Sequence, residues 1–133
     1  MSRDVIALLP AAPDVPAMLA AMAAAGEELL VLPAAGRAVL QLCDAADPEH
    51  VRPLLSIEEP LMVTVPGEVT RLLGAEVGVE VPTPVWWVEA RAAATPERAV
   101  RLAYRFAGAL VRRLGGVVWP PPPAPHPHPR PPI

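Results

Sequence analysis

A chain of 133 residues has the length of one domain, and 53% apolar with 19% charged residues is the balance of a packed core, not of a disordered chain. The net charge of −3 hides an uneven spread: residues 1–94 hold 13 acids and 5 arginines (−8), residues 95–133 hold 1 acid and 6 arginines (+5). An acidic body lacks the basic surface that phosphate binding needs, which argues against nucleic acid as partner, and the single Cys43 excludes an internal disulfide and points to a reducing compartment.

Val5 to Leu9 is a short, wholly apolar run, the pattern of a buried strand. Residues 5–26 are apolar enough to raise a signal peptide or a membrane span. Asp14 interrupts the run, however, and Pro10, Pro13 and Pro16 break it, so neither is expected and a cytoplasmic protein is. Asp14 as N-cap and Pro16 in the first turn start a helix that stops at Gly26, with Val15, Met18, Leu19 and Met22 as its packing stripe. Leu29–Leu32 and Ala38–Cys43 read as two strands joined through Pro33-Ala34-Ala35-Gly36. In the second strand, alternation puts Leu40 and Leu42 on one face and Arg37, Val39, Gln41 and Cys43 on the other.

Asp47-Pro48-Glu49 is a helix-start signature, with Val51, Leu54 and Leu55 on its apolar side and Pro53 keeping the helix short. A strand over Leu61–Val65 follows, then a Pro66-Gly67 turn and a short helix from Glu68 to Leu73 closed by Gly74. Val85–Ala92 alternates as a strand: Trp86, Val88, Ala90 and Ala92 form the apolar face, and Val85, Trp87, Glu89 and Arg91 the other.

The longest periodic stretch comes next. Thr95 as N-cap, Pro96 at the first helical position and Glu97 at the positive end of the dipole open a helix that closes on Arg112, Arg113 and Gly115-Gly116. Its apolar arc, with Phe106 and Leu110 near the middle, is roughly 160° wide, and Arg98, Arg101, Arg105 and Arg112 share the opposite side. Val117–Trp119 returns as a strand that Pro120 ends. Nine of the fourteen residues 120–133 are proline, so the domain covers 1–119 and the remainder reads as a polyproline II tail.

Two β-α-β units bracketing an insertion predict an α+β fold: a two-layer sandwich in the ferredoxin-like manner, with a mostly antiparallel sheet and helices on one face. Chemistry is sparsely signalled. Cys43 with His50 lies in no nucleophile motif, and Cys43, Asp44, Asp47 and His50 match no zinc spacing. His126 and His128 alternate in the tail, Glu58 and Glu59 are adjacent and diverge, and no phosphate loop or hydrolase motif occurs. No metal or cofactor is therefore expected.

Trp87 stands out. Alternation places it beside Glu89 and Arg91 on a sheet face that a two-layer fold leaves open, as binding and dimer surfaces are, unless residues 44–84 fold over it. The expected function is non-enzymatic: an accessory or immunity-type protein that binds a protein partner or itself through Trp87, Glu89, Arg91, Arg37 and Gln41. The alternatives are a regulatory module with a shallow small-ligand site at Trp87, Arg91, Gln41 and Arg37, and an enzyme of unrecognised type.

Overall fold

The computed structural model describes residues 3–33, 40–46, 49–74 and 82–122. Among the described residues, seven strands make one open antiparallel sheet: β1 (Arg3–Leu9), β2 (Leu30–Pro33), β3 (Leu40–Asp44), β4 (Arg52–Ile57), β5 (Leu61–Val63), β6 (Val85–Ala92) and β7 (Val117–Trp119). The helices among the described residues are α1 (Val15–Ala25), α2 (Glu68–Leu73) and α3 (Arg98–Leu114). The strand order is β2-β3-β4-β6-β1-β7, with β5 also on β6. The chain is thus mixed α+β, as its alternation of periods predicts.

β1 lies between β6 and β7, so both of its edges are paired, and Val5 through Leu9 are all buried. Its odd-numbered residues join the main core with Val88, Ala90 and Phe106, beneath α1 and α3. Ile6 and Leu8 point the other way, where they pack with Val85 and with Val69 of α2, flanked by Val63, Leu73 and Trp87. Helices therefore occupy both faces, which corrects the expected single helical face. The physical reason is in β1: a central strand that is apolar on both sides exposes Ile6 and Leu8 to water unless something covers them.

β4 and β5 share one side of β6. Leu55–Ile57 oppose Ala90–Ala92, and Leu61–Val63 oppose Val85–Trp87. Between them Glu58 still donates its N–H to the Glu89 carbonyl (3.0 Å). The registers on either side differ by one residue, so Glu58–Pro60 acts as an irregularity within one long partner strand, at a point where Pro60 has no N–H to give. The expected short helix around residues 49–55 is not formed there: Arg52–Ile57 is strand. A bulge, which pairs Leu42 with Leu55 but Cys43 with Pro53, turns Leu54 and Leu55 both into the main core. Two consecutive leucines facing one way imitate helical periodicity.

α1 starts as expected, with Asp14 Oδ1 accepting from the Ala17 N–H (2.8 Å). Its packing stripe is different. Ala17, Ala21, Met22 and Ala25 are buried, whereas Val15 is 71% and Leu19 56% exposed. α1 makes its main contacts beside α3, where small side chains allow close approach and larger ones would hold the helices apart. α3 begins at Arg98, later than the Thr-Pro signal: Glu97 occupies the cap position without a side-chain bond, and the Pro96 carbonyl accepts from the Ala99 N–H (3.0 Å) in the preceding turn. The apolar arc is as expected, with Leu102 as an additional buried member.

Candidate interaction surface

The residues expected to share the second sheet face can be placed by register. Gln41 of β3 opposes Ser56 of β4, Ser56 opposes Arg91 of β6, and Arg91 opposes Asp4 of β1. These four side chains form a polar row across the sheet. One step along β6, Glu89 opposes Ile6, and Ile6 opposes Trp119. A further step gives Leu61, Trp87, Leu8 and Val117. The face therefore changes from polar to apolar along the strands, and α2 covers the apolar part through Val69 and Leu73.

That gradient divides the expected surface. Trp87 is half-buried in the small core under α2. Glu89 sits at the boundary, 17% exposed. Arg91 is exposed, and Gln41 is half-buried at the far end of the polar row. Arg37 lies outside the described residues, as do the turn preceding β3 and the tail with His126 and His128. Trp119, which the sequence reading assigned only to a returning strand, belongs to this face. The signal was available in Val117-Val118-Trp119, because Val118 packs on the main core and its neighbours must point away.

The electrostatics centre on Arg91. Its Nε donates to Asp4 Oδ1 (3.0 Å), and its Nη2 is 3.9 Å from Glu89 Oε2. The bond to Asp4 holds the guanidinium pKa above its usual value. Burial pushes the Glu89 carboxyl up, the carboxylates of Asp4 and Glu58 add to the rise, and Arg91 opposes it. A hydrogen bond with the Glu58 side chain favours the protonated form as well. Such a group holds a proton more tightly than an isolated glutamate does. Recognition by charge and hydrogen bonding is within its chemistry; nucleophilic attack would need a partner of another kind.

Cys43 is buried, and burial raises its thiol pKa, so it is held as a thiol. His50 is exposed. Asp47 lies outside the described residues. Among the described residues no group of three or more His, Cys, Asp or Glu side chains is placed to hold a metal ion, and no helix is long and apolar enough to cross a membrane. Comparisons with protein-family models, curated proteins and solved structures found no match.

Proposed function

We propose that this chain is a non-enzymatic protein-interaction module of the accessory or immunity type, which binds through the polar part of its second sheet face. Arg91 is the anchor, with Gln41, Ser56, Asp4 and Glu89 around it. The observation that carries this reading is the placement of Arg91: half-exposed, on a strand held from both sides by β1 and β4, between Ser56 and Asp4 in the polar row and one step from the row of Glu89, Ile6 and Trp119. An exposed arginine on a rigid backbone, ringed by polar side chains, is a frequent anchor of interfaces. The underlying core reads as ferredoxin-like, β7-β1-β6-β4, with the β2–β3 hairpin added outside β4. A cytoplasmic setting is the companion reading, and it rests on the lone thiol of Cys43.

The test compares proteins retained by the immobilised wild-type chain with those retained by Arg91→Ala and, as control, by Arg71→Ala on the exposed side of α2. Loss of a partner with Arg91→Ala alone, at unchanged Tm, supports the reading. Identical retention by all three overturns it. The small-ligand reading would use Gln41, Arg91 and Glu89 as polar contacts, without Trp87, which is turned under α2.

A further inference from the structure

The layer opposite that face carries a different anomaly. α1 contains no polar residue: its sequence is VPAMLAAMAAA. At about 100° per residue, Ala17, Met18, Ala21, Met22 and Ala25 occupy the inward arc, and Val15, Pro16, Leu19, Ala20, Ala23 and Ala24 occupy the outward half. All six outward residues are exposed. A surface helix ordinarily presents charged or polar side chains to water, and an apolar outer face is the mark of a covered one. Acids stand at both ends of this face, Asp14 before the helix and Glu27 and Glu28 after it. Among the described residues none of the three is ion-paired.

The complement is on the same molecule. α3 turns Arg101, Arg105 and Arg112 outward, opposite its buried arc, and Arg113 closes the same end. Arg98 is engaged with Asp44, but among the described residues Arg101, Arg105, Arg112 and Arg113 have no acid within ion-pair distance. Between them lies Gly108, and the Arg112 guanidinium would be 3.3 Å from any Cβ placed there. The stripe is basic along its length, and the Arg112 side chain lies back over Gly108.

The geometry points to a second copy of this chain as the occupant, with α1 of each copy seated on the arginine face of α3 of the other. α1 and α3 run antiparallel, since each returns from the end of its strand and β1 is antiparallel to β6. The end of α3 lies by the start of α1, where a Cβ on Gly115 would be 3.7 Å from Pro10. A two-fold axis between the helices and parallel to them lays α1 of one copy antiparallel on α3 of the other, and does so twice. Asp14 then meets Arg112 and Arg113, and Glu27 and Glu28 meet Arg101. The spans agree: Asp14 to Glu27 is about 20 Å along a helix, and Arg101 to Arg112 about 17 Å. Val15, Leu19 and Ala23 fall on the stems of Arg105 and Arg112 around Gly108, where arginine methylenes offer apolar surface. An α1-on-α1 pairing fails the same check, because its antiparallel form sets Asp14 against Glu27 and Glu28. This contact is separate from the Arg91 face and stands or falls without it.

The experiment is sedimentation equilibrium of the full chain and its variants. The wild type is expected to dimerise in the micromolar range. Leu19→Glu, at an exposed position, should fold with unchanged Tm and weaken the dimer about a hundredfold. Arg101→Glu, and Glu27→Arg with Glu28→Arg, should each weaken it about tenfold, and the three changes combined should restore most of the loss. Restoration by the combined variant identifies the facing pair and cannot come from misfolding. A wild type that remains monomeric to several hundred micromolar overturns the proposal, whether or not α1 then binds zwitterionic vesicles or another protein. So does a dimer unaffected by Leu19→Glu or not restored by the charge exchange.

Discussion

Trp86 and Trp87 are neighbours that point to opposite faces of β6, and the two faces are covered by different elements. Trp86 packs on the main core, Trp87 on the cluster of Ile6, Leu8, Val69 and Val85. From alternation alone Trp87 would be expendable for folding. With α2 above it, Trp87→Ala should cost about 2–3 kcal/mol, somewhat below a fully buried aromatic, and Trp86→Ala a similar amount. Urea denaturation of both variants checks this, and a Trp87 variant as stable as wild type would mean that α2 does not depend on it. Glu89 gives a pH signature. Its folded pKa is raised by burial and by the Asp4 and Glu58 carboxylates, above the ordinary value of about 4.3. The stability carried by its proton is present below the unfolded value and lost as pH rises through the folded one. Glu89→Gln should therefore melt higher than wild type at pH 7, and the difference should shrink toward pH 3. A difference that is constant with pH would place the effect elsewhere. Gly116 is required by space as well as by its φ of +107°: a Cβ would lie 2.0 Å from the Leu8 carbonyl oxygen, which is held in the sheet. Gly116→Ala should detach β7 from β1, read as lost protection of the β7 amides in hydrogen exchange.

Elements with one strong period were legible, and those governed by tertiary neighbours were not. α3 carries its own specification, from the arc around Phe106 and Leu110 to the glycines at its end, and the structure uses nearly all of it. Phe106→Ala or Leu110→Ala should cost about 3–5 kcal/mol, since both are fully buried, while Arg105→Ala should stay within about 0.5 kcal/mol. Chemical denaturation separates the two classes. If Arg105→Ala costs as much as the core changes at concentrations where the chain is monomeric, the arginine face is packed from within. In α1 the larger side chains were the natural candidates for the core, yet its neighbour is another helix, and alanines fit that contact better. β4 was obscured by its bulge, which sets Leu54 and Leu55 on one side and makes a strand read as a helical turn. The cover that residues 44–84 could lay over the second face was the point most open to a sharper reading. Five consecutive buried apolar residues in β1 already require material on both sides of the sheet, and Val69 and Leu73 in a short helix were the available supply.

At the scale of the whole molecule, charge is separated along the chain and again in space. The net −8 of residues 1–94 and +5 of residues 95–133 place an acid-framed α1 and an arginine-faced α3 side by side in one layer. Of the expected surface, Arg91, Glu89 and Gln41 remain on one sheet face because alternation fixes them there; Trp87 left the exposed set because no local pattern in β6 reports what α2 covers. Within one copy, Arg101, Arg105 and Arg112 are exposed, opposite the buried arc of α3, and the proposed dimer brings the acids at the ends of the other copy's α1 to them. Two forces then act on the self-association in opposite directions. The ionic contacts are exposed at the ends of the helices, and raising salt from about 0.05 to 0.5 M shortens the Debye length from about 14 to about 4 Å, which weakens them. The apolar contact of Val15 and Leu19 is insensitive to sodium chloride and is strengthened by sulfate. The dimer should accordingly weaken several-fold across that range of sodium chloride and recover in sodium sulfate of equal ionic strength. In the charge-exchanged variant, with Arg101→Glu, Glu27→Arg and Glu28→Arg, the same salt dependence should persist, since the pairs are reversed and not removed. In Leu19→Ala the recovery in sulfate should be smaller, because less apolar surface is covered. Sedimentation equilibrium across the two salts reads all three. A dimer whose affinity does not fall as sodium chloride rises would rest on apolar contact alone, and the arginine face of α3 would have no part in it.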